Sequence, residues 1–243
     1  MSERRKDIHN SDIPVVCRSC EARHNGICGA LDPGELSQLA KHTRMARHSS
    51  GSELVGDEEE VTSYASVMKG VVKLTKVLKD GRQQVVGLQF APDFLGRIFG
   101  HESHVNAEAA SDVDLCHVPK SALESMMKEN PALEHRLMQQ VLRELDEARD
   151  WMVTLGRKTA AEKVSSFLYL IATHMDPAID AQGRKSATFD LPLSRADIAD
   201  FLGLTIETVS RQMTKLRSDN VIEVTNNRHV VVPDLERLEL RCG

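Results

Sequence analysis

LSRADIADFLGLTIETVSRQMTKLRSDNVIEV, residues 193–224, is the stretch from which the rest of the chain can be read. Ser194 followed three positions later by Asp197 is a capping signature for a short helix carrying Ile198, Ala199 and Leu202. Gly203 allows a tight turn, and Thr205 then caps a second helix. On that helix Ile206, Val209, Met213 and Leu216 are expected to form the buried stripe, while Glu207, Ser210 and Arg211 share another face. This is helix-turn-helix spacing, in which the first turns of the second helix meet base edges. The chemistry suits that role: Arg pairs bidentately with guanine, Glu accepts from cytosine N4, and Ser is adaptable. VIEVTNNRHVVV, residues 221–232, adds two β runs around an Asn-Asn turn, the wing of a winged helix. Arg211, Lys215, Arg217 and Arg228 supply local positive charge for phosphates. On a bare helix, Glu207, Ser210 and Arg211 read equally as a solvated face. Cap, turn, helix and wing occur together here with a separate long helix upstream, and the combination favours DNA reading.

That upstream helix lies in VPKSALESMMKENPALEHRLMQQVLRELDEARDWMVTLGRK, residues 118–158. Met138, Val141, Leu145, Ala148, Met152 and Leu155 are spaced 3, 4, 3, 4, 3, an a/d seam with charged residues on the other faces. The seam fits a helix packed on its own domain or a parallel homodimer. Leu137, Leu142 and Trp151 lie off the seam and can serve the intramolecular contact, which favours the dimer. Gly156 is expected to end the helix.

Between about residue 35 and residue 120 the pattern is one of short β-like runs. ASVMKGVVKLTKVL (65–78) and QQVVGLQFA (83–91) flank KDGRQ (79–83), a hairpin turn with Gly81 where positive φ is needed. APDFLG (91–96) and AEAASDVDLCHV (107–118) continue a series that suggests a small antiparallel barrel or roll. The expected organisation is a cysteine-rich arm over 1–29, a β-roll over 30–120, a dimerisation helix over 121–156 and a winged helix-turn-helix over 157–243. The fold class is α+β. After the long helix, TAAEKVSSFLYLIATHM is an apolar-periodic helix, AIDAQGRKSATF a polar loop and TFDLPL a short strand.

Bulk properties narrow the function classes. The 243 residues are 41% hydrophobic and 28% charged, ordinary for a globular chain of two domains. A net charge of −5 argues against binding polyanions over the whole surface but leaves room for a local basic face. Aromatics at 4% disfavour base-stacking folds for single strands. The N-terminus has no apolar signal core, and no stretch approaches membrane-spanning length, so a cytoplasmic location is expected. No Gly-rich phosphate loop, nucleophile elbow or acid/base constellation is present, so an enzyme is not expected.

CRSCEARHNGIC, residues 17–28, then needs a purpose. In a cytosolic chain a structural disulfide is a poor explanation for Cys17, Cys20 and Cys28. Four thiolates are the complement of a [4Fe–4S] cluster, and a trio in a loop plus one remote cysteine can close round it. Zinc is the main metal alternative, although structural zinc sites usually pair two short-spaced clips. A thiol redox switch is a third. Spacing alone divides cluster and zinc about evenly. Cys242 reads as a spare thiol. His24 and His117 sit beside cysteines but are not needed as ligands, and His101 and His104 read as loop residues.

The roll, the long helix and the C-terminal winged helix carrying ETVSR together resemble the CRP/FNR superfamily of bacterial transcription regulators, over nearly the whole chain. The roll would then be a cyclic-nucleotide-binding-like double-stranded β-helix. LPLSRADIADFLGLTIETVSR resembles the E-x-x-S-R recognition helix of the FNR branch, here Glu207, Ser210 and Arg211. That branch reads inverted repeats with TTGAT-like half-sites. The C-x2-C-x7-C arm plus Cys116 resembles its alphaproteobacterial FnrL/FnrP-like form, in which four cysteines hold an oxygen-labile [4Fe–4S] cluster. The resemblance puts the cluster ahead of zinc and implies a homodimer that responds to oxygen. It also implies contact with RNA polymerase at the loop LKDGR, Lys79 to Arg82, which reads equally as a plain exposed hairpin. The nucleotide-binding branch carries Gly-Glu and Arg-Ser pairs. DFLGRIFGHESHVNAEAA, residues 93–110, lacks the Arg-Ser step, so no nucleotide ligand is expected. Two departures stand out within the FNR branch. Seven residues rather than five precede the third cysteine, with Glu21 directly after Cys20, and Ala148 stands where enteric members carry an acid in the seam.

Overall fold

The computed structural model describes residues 13–18, 20–175, 178–179 and 185–243. The first twelve residues of the arm, the Glu21 side chain and most of the polar loop before residue 185 lie outside them. In chain order the elements are α1 (Glu21–His24), α2 (Pro33–Ala40), β1 (Arg44–His48), β2 (Glu53–Val55), β3 (Ser63–Lys69), β4 (Val71–Val77), β5 (Gln83–Phe90), β6 (Phe94–Leu95), β7 (Asn106–Ala109) and β8 (Val113–Pro119). There follow α3 (Lys120–Glu129), α4 (Pro131–Arg157), α5 (Ala160–His174), β9 (Ala178–Ile179), β10 (Lys185–Asp190), α6 (Arg195–Leu202), α7 (Ile206–Ser218), β11 (Glu223–Thr225), β12 (His229–Val232) and α8 (Leu235–Glu239). They form two compact units. One holds the chain up to Lys76 together with Val86–Asp146, and the other holds Val77–Val85 and Glu147–Gly243.

The first unit is the roll. Its strands form two four-stranded sheets, in the orders β1-β8-β3-β6 and β2-β7-β4-β5. Strand β8 is central, antiparallel to β1 on one side and β3 on the other, so that Cys116 lies opposite both Met45 and Ser66. Alternation along β8 decides what each residue meets. Val113 and Leu115 join Ala65, Val67, Val72 and Ala107 in the roll's interior core. Val118, on the opposite face with Cys116, joins a second core in which Ile27 of the arm, Leu36 and Leu39 of α2, Leu123 of α3 and Leu133 and Leu137 of α4 are buried.

Local signals explain the elements. Pro33 stands at the start of α2, and Asp32 and Glu35 complete a reciprocal capping box. This helix replaces the β-like reading that began at residue 35. The hairpin tip closes with the Leu78 N–H donating to Arg82 O at 2.7 Å around Gly81, φ +86°. The stretch read as one helix from 121 to 156 is two. Asn130 precedes Pro131, which pushes it out of the helical region to φ −124°, and α4 starts afresh. Gly156 does not end α4, which runs on to Arg157.

In the second unit Trp151 packs against Phe201 with ring centroids 4.4 Å apart, and Phe201 in turn meets Phe167. The expected short strand lies three residues early, at Lys185–Asp190, and it pairs with Ala178–Ile179, so both ends of the stretch read as a polar loop are strand. The observed architecture is otherwise the expected one: a roll, a long helix and a C-terminal winged helix-turn-helix. No described helix is long and apolar enough to cross a membrane.

Candidate functional site: a DNA-reading helix and a four-thiol cavity

Helix α6 starts at a reciprocal box, with Ser194 accepting from the Asp197 N–H while the Asp197 carboxylate accepts from the Ser194 N–H, each at 3.1 Å. Gly203 then sits at φ +61°, where a residue with a Cβ would be strained, and its N–H closes on Ala199 O. Thr205 caps α7 by accepting from the Thr208 N–H at 3.2 Å. Val209, Met213 and Leu216 are buried as expected, but Ile206 is 47% exposed. At the first position of α7 the helix has not yet turned that side chain under the packed face.

Glu207, Ser210, Arg211, Lys215 and Arg217 are all solvent-exposed. Hydrogen bonds from its own N–H and from the Thr205 hydroxyl hold the Glu207 carboxyl below its usual range, so it faces solvent as an acceptor. Arg211 is steadied by a hydrogen bond from Nη2 to Thr208 Oγ1 at 3.2 Å. Lys215 and Arg217 lie in the last turn, where positive charge also complements the helix dipole. The wing forms as expected, with Asn226 and Asn227 both at positive φ (+51° and +58°), the geometry of a tight hairpin turn. Between α7 and the wing lies a groove of about 240 Å³ lined by Ser210, Thr214, Arg217, Asn227 and Arg195. Arg195 was not singled out from the sequence. It donates from Nη2 to Asn227 O, and its Nη1 is buried with no partner among the described residues. Its place as the residue after the cap was the available signal.

The four cysteines Cys17, Cys20, Cys28 and Cys116 line one cavity in the first unit, with Leu36, Thr43, Ser66, Met68 and Val118 around them and Arg23 as the one cation among the described lining residues. About 30 Å³ of free volume is left there, close to the room for one water. Three thiols come from the arm on the turns either side of α1, and the fourth comes from the outward face of β8. Cys20 is buried and the other three are half-buried. Cys20 Sγ lies 3.5 Å from Met68 Sδ. Burial pushes the Cys28 thiol up to about 12, with Cys20, Cys116 and Cys17 adding to the rise. Burial likewise raises Cys116 to about 11, helped by Cys20 and Cys17 and opposed by a hydrogen bond with Thr43. Burial, then Cys20, raises Cys17. Thiolates here are unfavourable unless a cation or metal compensates them, and an all-sulfur donor set suits iron–sulfur or zinc centres. The donor set therefore fits a four-thiolate group. Among the described residues no three His, Cys, Asp or Glu side chains come close enough to hold a single ion.

The remaining candidates separate. His117 lies on the other face of β8 from Cys116 and lines a cavity of about 500 Å³ inside the roll, together with Gln89, Arg97 and His104. His24 Nε2 is buried with no partner among the described residues. Cys242 belongs to the other unit and donates weakly to Leu238 O. Along α4 the seam residues Met138, Val141, Leu145, Ala148 and Met152 are exposed in the single chain, Met152 by 71%, and Leu155 is half-buried. Leu137 and Trp151 make intrachain contacts as expected. Leu142 does not: it is 52% exposed and widens the seam.

A roll of this topology joined through a long helix to a winged helix-turn-helix defines a DNA-binding transcription regulator, not an enzyme. Residues 46–130 match the cyclic nucleotide-binding domain family and residues 162–241 the Crp-like helix-turn-helix domain family. A probable transcriptional activator of Rhizobium leguminosarum bv. viciae is 53% identical over 239 residues, 98% of each chain. The transcriptional activator protein FnrL of Cereibacter sphaeroides is 38% identical over 236 residues, 96% of this chain and 95% of its own. The solved structure of FixK2 from Bradyrhizobium japonicum superposes with a TM-score of 0.73 at 30% identity, covering 83% of this chain and 98% of that one. The chain belongs to the CRP/FNR superfamily, in the branch that holds the FnrL and FixK regulators.

Proposed function

We propose that this regulator senses oxygen through a [4Fe–4S] cluster held by Cys17, Cys20, Cys28 and Cys116, and that it acts as a homodimer on TTGAT-type inverted repeats. The observation that carries the reading is the meeting of all four thiols at one cavity, three from the arm and one from β8. When bound, such a cluster supplies an oxygen-labile centre whose loss frees its ligands. The chain's own residues do the rest. The three arm thiols tie the arm to the central strand, and Ile27 within that arm is buried against Leu133 and Leu137 of α4. The exposed apolar seam on the adjoining face of α4 supports pairing with a second copy, which would set two copies of α7 about one DNA turn apart. Glu207, Ser210 and Arg211 read bases, while Lys215, Arg217 and Arg195 hold phosphates. The exposed hairpin tip Lys79–Arg82 offers a surface for RNA polymerase in the cytoplasm.

Iron and acid-labile sulfide analysis of anaerobically purified protein tests this reading. About four irons and four sulfides per chain, a brown colour and bleaching in air are expected. Colourless anaerobic protein carrying stoichiometric zinc would falsify it.

A further inference from the structure

Arg136 ties the arm between Cys20 and Cys28 to α4. Arg136 donates from Nη2 to Asn25 O at 2.9 Å and from Nε to Gly26 O at 3.3 Å. Two successive carbonyls thus meet two arms of one planar fork, a match that a lysine ammonium cannot reproduce. The next residue, Ile27, is 1% exposed and shares a core with Leu133 and Leu137, which flank Arg136 on the same side of α4. Gln140, one turn on, is buried too. Helix α4 therefore has two faces here. Leu133, Arg136, Leu137 and Gln140 face the arm side, while Met138, Val141 and Leu145 are exposed. A displacement of the arm at Asn25 and Gly26 loads the fork and, through it, the helix that carries the seam.

We propose that Arg136 is the positioning residue that transmits the state of the cysteine arm to the self-association face of α4. Resting on the cluster reading above, the inference names the residue through which ligand loss is felt. In a link of this kind the two events share a coupling free energy, so cluster binding and self-association each change the other by the same factor. A purely structural role differs: it weakens association equally with and without the cluster.

The experiment is a four-corner cycle. Wild type and Arg136→Met are purified anaerobically, their iron is assayed, and dimer dissociation constants are measured by sedimentation before and after the cluster is removed. Wild type is expected to lose about tenfold or more in dimer affinity on cluster loss, within the usual range of such couplings. Arg136→Met is expected to load the same iron per chain but to change less than about threefold, because the aliphatic stem is kept and only the fork is removed. A variant that keeps the wild-type ratio overturns the inference, and so does one that fails to load iron or is monomeric in both states, since a link transmits a difference and does not itself build either end. Wild type without iron overturns the cluster reading, and this inference with it. Wild type with iron but no dependence of association on it overturns only the inference.

Discussion

The DNA-reading surface and the thiol cavity are built in opposite ways. Everything the first needs lies in one continuous stretch, from Ser194 to Arg228, and each part is fixed by its neighbours: a box at Ser194 and Asp197, a left-handed Gly203, a cap at Thr205, a turn at Asn226 and Asn227. The second gathers three thiols from a short arm and one from the middle of a sheet whose order, β1-β8-β3-β6, is not the order of the chain. Local devices fail by degrees, each being worth about a kilocalorie per mole. A site closed by a distant residue fails all at once, because the remaining ligands cannot replace the missing one. The comparison can be pressed by substitution, beginning with the largest expected effect.

Cys116→Ser should abolish iron binding as completely as Cys20→Ser, although it lies far from the arm and leaves the arm's own sequence intact. Cys242→Ser should keep the full complement, because that thiol lies outside the cavity. Iron per chain after anaerobic purification decides this. A Cys116→Ser protein that retains iron would mean that the arm holds its metal alone.

The seam comes next. Leu145 is exposed in the single chain but would be buried between two, and truncating a buried Leu typically costs about 2–5 kcal/mol. Leu145→Ala should therefore weaken self-association strongly with little change in monomer stability. Ala148→Asp should weaken it further by setting two carboxylates against each other. If sedimentation shows an unchanged dimer in both variants, copies associate through another face.

Sequence reading succeeded and failed along the same division. The caps, the glycine turn, the wing and the exposed Glu207, Ser210 and Arg211 were legible because they depend on spacings of a few residues. The arm's three cysteines were visible for the same reason. That Cys116 faces them while His117 faces the roll interior depends on the parity and register of β8, which local pattern does not set. Helix α2 had its signature in Asp32, Pro33 and Glu35, and it was missed among β-like runs. Leu142 and Ile206 were assigned to buried faces by type, yet helix phase exposes both. Arg136 carried no signal at all, since its partners are backbone carbonyls that any sequence supplies.

Within the DNA-reading surface, base and phosphate interactions should fail differently. Arg211→Ala should cost about 1–3 kcal/mol per half-site and relax preference at one guanine. Lys215→Ala should weaken all sequences alike and flatten the salt dependence by about one unit for each phosphate no longer neutralised. Anaerobic titrations against a TTGAT-type repeat and its single-base variants, at several salt concentrations, separate the two. Equal losses on every variant for Arg211→Ala, with altered base preference for Lys215→Ala, would remove α7 from the major groove.

The smallest effect tests whether the local devices are as independent as their spacing implies. Ser194 accepts from the Asp197 N–H, and the Asp197 carboxylate takes the Ser194 N–H in return, so Ser194→Ala leaves the Asp197 N–H at the start of α6 to water and loosens the return bond. Loss of such a cap costs about 1 kcal/mol, which lowers the melting midpoint of a unit this size by about 4–8 °C. Helix α6 carries none of the base-reading side chains, and its buried Ile198, Ala199, Phe201 and Leu202 keep it in place once folded. Affinity at low temperature, base preference and salt dependence should therefore all match wild type while the calorimetric midpoint falls. A change in base preference would show that the box sets the position of α7 as well as the stability of α6. The DNA-reading surface would then share the all-or-none character of the thiol cavity.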